Sequence, residues 1–172
     1  MKKLALLFLL LALAIGASAQ AKIDFANLPD APSPSPLPNG YGNLNWTGAF
    51  YVDPFKWALA GPGFKHREDI AGTDVAFGPG PCSGAACFAS IGSSTGFQLV
   101  SALAAAPYQT AGPASPLIVT AYYNGQYIGT QTYMMTTDVQ QLDFPPSWGV
   151  ATQVIIQGSF VFYDLNVYTL GH

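Results

Sequence analysis

Charge is what this sequence of 172 residues lacks most: only 9% of it is Asp, Glu, Lys or Arg. Lys2 and Lys3 open the chain, so the stretch after residue 19 carries four basic residues (Lys22, Lys56, Lys65, Arg67) against nine acids, a net charge of −5. No basic stripe is left to neutralise phosphates, which argues against nucleic acid and anionic membrane surfaces as partners. Glu occurs once, at Glu68 in the charged run Lys65-His66-Arg67-Glu68-Asp69, and His only at His66 and the terminal His172. Glycoside hydrolysis usually needs two facing carboxylates, and zinc sites need clustered nitrogen and sulfur ligands. Two Asp far apart in sequence remain the one route to a hydrolase.

Cysteine is scarce as well, with two, Cys82 and Cys87, in Pro81-Cys82-Ser83-Gly84-Ala85-Ala86-Cys87. Their spacing does not fit a CxxC redox or zinc motif. In an exported protein such a pair reads as a local disulfide, worth about 2 kcal/mol in the loop-entropy model. Long apolar runs are limited to Leu4–Ile15, twelve residues and short for a bilayer. Basic residues before it and the small-x-small Ala17-Ser18-Ala19 after it make 1–19 a signal peptide, cleaved after Ala19. Ala19-Gln20-Ala21 offers a second cleavage position two residues on. Residues 20–172 then form a single secreted or periplasmic domain with no further membrane span.

A convincing helix is also missing after the leader. Eighteen Gly, 14 Pro and 13% aromatics instead describe strands joined by tight turns. Alternation predicts strands over 22–28, 49–52, 74–77, 86–90, 97–105, 140–144, 152–157 and 160–169. Residues 97–105 have some helical propensity, but their neighbours favour the sheet. Five prolines between Pro29 and Pro38 predict an extended surface segment over 29–38. The Gly92-Ser93-Ser94-Thr95-Gly96 stretch matches G-x-S-x-G, yet a nucleophile elbow needs a strand-to-helix turn with an acid and a His downstream.

Asn124-Gly125 between two β-rich runs predicts a two-residue hairpin turn, since both turn residues need positive φ. That turn sets Tyr123 opposite Gln126, Tyr122 opposite Tyr127, Ala121 opposite Ile128 and Val119 opposite Thr130. Leu117, Val119, Ala121, Ile128 and Met134 then face inward. Thr120, Tyr122, Tyr127, Gln131 and Tyr133 face outward. Nine or so such strands predict an all-β fold, an antiparallel two-sheet β-sandwich with jelly-roll connectivity.

Phe25-Ala26-Asn27-Leu28-Pro29, Pro38-Asn39-Gly40-Tyr41-Gly42-Asn43-Leu44-Asn45-Trp46, Gly72-Thr73-Asp74-Val75-Ala76-Phe77, Tyr122-Tyr123-Asn124-Gly125 and Tyr163-Asp164-Leu165-Asn166 come in a recognisable order. The series resembles a group of small secreted proteins of unassigned activity whose chains read F-D-D-L-P, P-N-G-Y-G-x-x-W, G-x-N-V-A-F, Y-x-N-G and D-N-L. That group is similar to the jelly-roll carbohydrate-binding modules. The resemblance implies a sandwich that binds polysaccharide or another glycan, and a structural calcium between first and last strands. Asp164 with Asp24 or Asn27 would supply part of that site. Here Ala26 replaces the first of the paired acids, and a lone Asp bonded to backbone is the plainer role for Asp164.

Tyr41 and Trp46 can stack on sugar rings, with Asn39, Asn43 and Asn45 as polar partners, or they can plug the end of a small core. Their loop, tied to the first strand, favours the plug. Tyr122 and Tyr127 pair across the hairpin, as a cross-strand brace or as a flat carbohydrate platform. Trp57 and Trp148 read as closures of the two ends. The leading function is a non-catalytic secreted sandwich that binds carbohydrate or a cell-surface polymer. A structural or adhesive envelope protein is the alternative, and a hydrolase the last.

Overall fold

A computed structural model describes residues 19–64, 74–78, 88–108 and 114–170. The leader through Ser18, His66 and Glu68, Cys82 and Cys87, and His172 lie outside the described residues. The described residues form eleven strands: β1 (Ala19–Ile23), β2 (Ser35–Pro36), β3 (Asn45–Thr47), β4 (Phe50–Val52), β5 (Val75–Phe77), β6 (Phe88–Ala105), β7 (Ser115–Tyr123), β8 (Gln126–Met135), β9 (Gln140–Asp143), β10 (Ala151–Gln157) and β11 (Val161–Thr169). Every ladder is antiparallel. Among the described residues no helix is long and apolar enough to cross a membrane.

The sandwich is organised by β6. Where two strands are expected, over 86–90 and 97–105, one 18-residue strand runs through both. Its first half pairs with β3 and β10, its second with β9 and β11. Between them the partner register jumps from Gln153 opposite Gly92 to Ala151 opposite Phe97. Gly96 takes φ +89° at that corner, and a Cβ there would meet Val150 Cγ1 at 2.6 Å. One layer is therefore β8-β7-β10-β6-β3. The other is β9-β6-β11, with β1 and β5 both on the far edge of β11 and β4 and β2 beyond. The chain changes layer at β8–β9, β9–β10 and β10–β11, the alternation of a jelly roll.

Alternating side chains from both layers meet in one core. Leu117, Val119, Ala121, Val154 and Ile156 of one layer share it with Phe97, Leu99, Phe162, Leu165 and Val167 of the other. A smaller core under β4 and β5 holds Val52, Phe64, Phe77 and Tyr163. Trp57 closes it, stacked on Phe77 at 5.7 Å and edge-on to Phe64 at 5.2 Å. Trp148 covers the main core beside Phe144.

Two local expectations are corrected. The first strand ends at Ile23 rather than at residue 28, because Phe25 takes φ +60° and turns the chain, with Leu28 N–H reaching back to the Phe25 carbonyl. A bulky residue in the left-handed region is costly; the Phe25 ring is fully buried, so packing holds it there. In the hairpin the first two pairs are as expected, but Ala121 faces Gly129 and Val119 faces Gln131, with Ile128 as a bulge. One extra residue flips every later side chain of β8 to the other face. Met134 consequently points outward, 54% exposed, and Met135 is buried instead. Tyr133 turns inward and packs on Phe144. Gly129 suits its inward position, since a Cβ there would meet Trp148 Nε1 at 2.5 Å.

Candidate functional site

The Pro38–Trp46 loop is a plug. Trp46 is 5% exposed, and its indole N–H donates to the Tyr41 carbonyl at 2.9 Å. Its backbone N–H donates to Asn39 Oδ1 at 2.7 Å. Phe25 stacks on Tyr41 at 5.9 Å and meets Trp46 edge-on at 6.2 Å. Gly40, Gly42 and Asn43 supply the positive φ values that coil the loop this tightly. Trp46 has no free face for a sugar, and its work is to close the core over Phe25. Tyr41 is half-buried, and burial raises its phenol above the ordinary range against the lowering influence of the Asn27 backbone.

Asp24, Asn27 and Tyr41 do come together. With Lys22, Gly42 and Asn43 they line a shallow cleft of about 230 Å3. Asp164 is not in it. That carboxylate is buried on β11, where Oδ1 accepts the Leu103 N–H at 3.2 Å and Oδ2 lies 3.2 Å from Lys22 Nζ. Asp24 Oδ1 accepts the Ala26 N–H. A calcium ion wants six to eight oxygens, and an ammonium on Asp164 opposes a second cation beside it. Among the described residues no three His, Cys, Asp or Glu side chains gather to hold a metal. Of the three expected calcium ligands, the cleft brings Asp24 and Asn27 together and leaves Asp164 outside its lining.

Tyr122 and Tyr127 stand on the outer face of the β8-β7-β10-β6-β3 layer, edge to face at 6.2 Å, with Tyr127 64% exposed. The hairpin tip beside them is anchored by Asn124 N–H donating to Thr152 Oγ1 at 2.7 Å. Ladder pairing extends this face in rows across the strands. The first row is Tyr127, Tyr122, Gln153, Gly92 and Asn45. The second is Thr130, Thr120, Ile155, Ser90 and Thr47, with a 3.0 Å hydroxyl contact between Thr120 and Thr130. Neither row carries a charge. On the opposite side of β8, the Tyr133 hydroxyl donates to the Asp143 carbonyl at 2.7 Å, and burial pushes it up to about 12.

One cluster was not foreseen. Lys56 Nζ lies 2.8 Å from both oxygens of Asp30 and 3.2 Å from Asp53 Oδ2. Asp74, 6% exposed, is pushed up to about 6, first by burial and then by the Asp53 and Asp30 carboxylates, against the Lys56 charge. These acids are dozens of residues apart in sequence, so no local pattern joins them. Ser94 lies mid-strand in β6 rather than at a strand-to-helix turn, so the G-x-S-x-G match lacks the context of a nucleophile elbow.

No protein-family model matches the sequence, and no curated protein matches it either. Among solved structures, the chain is similar to a DUF4465 family protein from Bacteroides caccae (TM-score 0.51, 11% identity), covering 87% of this chain and 92% of that one. It has weaker likeness to the CBM22-1–GH10 modules of a Clostridium thermocellum endo-1,4-beta-D-xylanase complexed with xylohexaose (TM-score 0.38, 11% identity, 73% of this chain and 26% of that one). A family 32 carbohydrate-binding module from C. perfringens in complex with galactose has TM-score 0.39 and 15% identity, over 88% of this chain and all of that one. What the comparison with the DUF4465 protein shows is the fold, an antiparallel β-sandwich.

Proposed function

We propose that this chain is an exported, non-catalytic β-sandwich that binds carbohydrate on the outer face of the β8-β7-β10-β6-β3 layer. The observation that carries the reading is the exposed Tyr127 ring, set edge to face against half-buried Tyr122 at the end of a row that continues through Gln153 and Asn45. Sugar rings have apolar C–H faces that pack on aromatic rings, and hydroxyls that need donors and acceptors beside them. Trp46 belongs to the core, which supports the hairpin face over the opening loop. Binding to immobilised plant, fungal and bacterial polysaccharides is the direct test, with Tyr127→Ala as the control. Retention by at least one glycan, lost in the variant, supports the reading; no retention by any removes it.

The adhesive alternative has its own support. Among the described strands β8 pairs only with β7, and its ten residues include no charge and no proline. Such an edge is a template for further strand pairing. Concentration-dependent self-association with no glycan binding would favour a structural envelope role.

A further inference from the structure

We infer that the ligand of the hairpin face is an uncharged polysaccharide chain that crosses the strands along the row Tyr127, Tyr122, Gln153, Gly92 and Asn45; this rests on the carbohydrate-binding reading above. The row is continuous in register, each residue directly opposite the next. It spans four strand spacings, roughly 19 Å, which is room for several sugar units.

Its relief is uneven in a useful way. The two tyrosines rise at one end. Gln153 and Asn45, both exposed, stand either side of Gly92, where the surface dips. A Cβ on Gly92 would meet nothing nearer than the Thr152 carbonyl at 3.7 Å, and its φ is not in the left-handed region. Glycine is therefore not needed there for the backbone, and an interior strand position would be stabler with a side chain. A low floor between two amides leaves space for a chain lying across the layer. Each amide both donates and accepts, matching sugar hydroxyls, which do the same.

The charge pattern selects the class. The second row, from Thr130 to Thr47, and the third, Thr132, Ile118, Gln157 and Phe88, carry no charge either. Lys22 and Lys56 lie elsewhere, in β1 and after β4, each against a carboxylate. Among the described residues, uronate or sulfate groups laid on this face would meet no cation, a desolvation cost with no return.

Affinity electrophoresis of the mature protein in mixed-linkage glucan, xylan and galactomannan, against polygalacturonate and alginate, tests both parts. Retardation by a neutral polymer and none by the uronates is expected. Gly92→Ile, which fills the dip with a strand-favouring side chain, should weaken that binding at least tenfold with a melting temperature no lower than that of the native protein. Gln153→Ala, at an exposed position, repeats the test if Gly92→Ile disturbs folding. Loss in Tyr127→Ala but in neither row variant would overturn the path and leave the carbohydrate reading standing. Equal retardation by uronates would overturn the uncharged class. Binding to no polysaccharide would overturn the carbohydrate reading and this inference together.

Discussion

The Lys22 ammonium lies 3.2 Å from Oδ2 of Asp164, joining the first strand to the last. The carboxylate is 3% exposed and the lysine 53%, so a solvent-reaching cation neutralises a buried anion whose other oxygen is held by the Leu103 N–H. Lys22→Met should cost about 1–3 kcal/mol, because it removes one charged partner of a buried carboxylate. Chemical denaturation at neutral pH measures it. Asp164→Asn, which keeps an acceptor for Leu103, should recover part of that loss in the Lys22→Met background.

Trp46 and Tyr127 should separate stability from binding. Trp46→Ala removes a ring packed on Phe25 and a hydrogen bond to Tyr41, and should destabilise by about 3–5 kcal/mol. Trp46→Phe keeps most of the packing and should cost less. Tyr127→Ala, at a largely exposed ring, should cost about 1 kcal/mol or less and remove glycan binding. Paired melting and binding curves for the three variants check this.

Asp74 gives a pH dependence of unusual sign. In the folded chain its carboxyl is raised from 3.8 to about 6. Between those values the folded chain holds a proton that the unfolded chain has released, so stability falls as pH rises through this window and is level above it. Asp74→Asn should abolish that slope and raise stability at pH 8 by about 1 kcal/mol, the value being tempered by solvent near the cluster. Urea denaturation at pH 4.5, 6 and 8 resolves the two curves.

Intact mass of the exported protein should begin at Gln20 and be two hydrogens below the reduced value. In the fold Gln20 pairs with Tyr168, whose hydroxyl donates to Gln20 Oε1 at 3.3 Å. Cleavage after Ala21 would remove three of the five residues of β1. A mass starting at Lys22, or a full complement of free thiols, would overturn the corresponding reading.

The hairpin shows how far local chemistry reaches. Asn124-Gly125 fixes the turn and the first two pairs, because positive φ is favoured at both turn residues, at Asn124 (+48°) and Gly125 (+78°). It does not reveal the bulge at Ile128, which sets Gly129 against Trp148, twenty residues on. Phe25 is similar: its strand-like alternation is genuine, but the turn comes from the rings of Tyr41 and Trp46 around it.

Alternation, turn residues and the scarcity of charge determined by themselves that this chain is an antiparallel sandwich with Leu117, Val119 and Ala121 inside, because period-2 burial is a local property of the backbone. Which aromatics plug the core and which meet water was decided only by the tertiary structure. The same holds for the partner of Asp164, the gathering of Asp30, Asp53 and Asp74, and the uncharged rows across five strands. Each of these joins residues distant in sequence, and their proximity is created by strand pairing and layer stacking rather than by any neighbour along the chain.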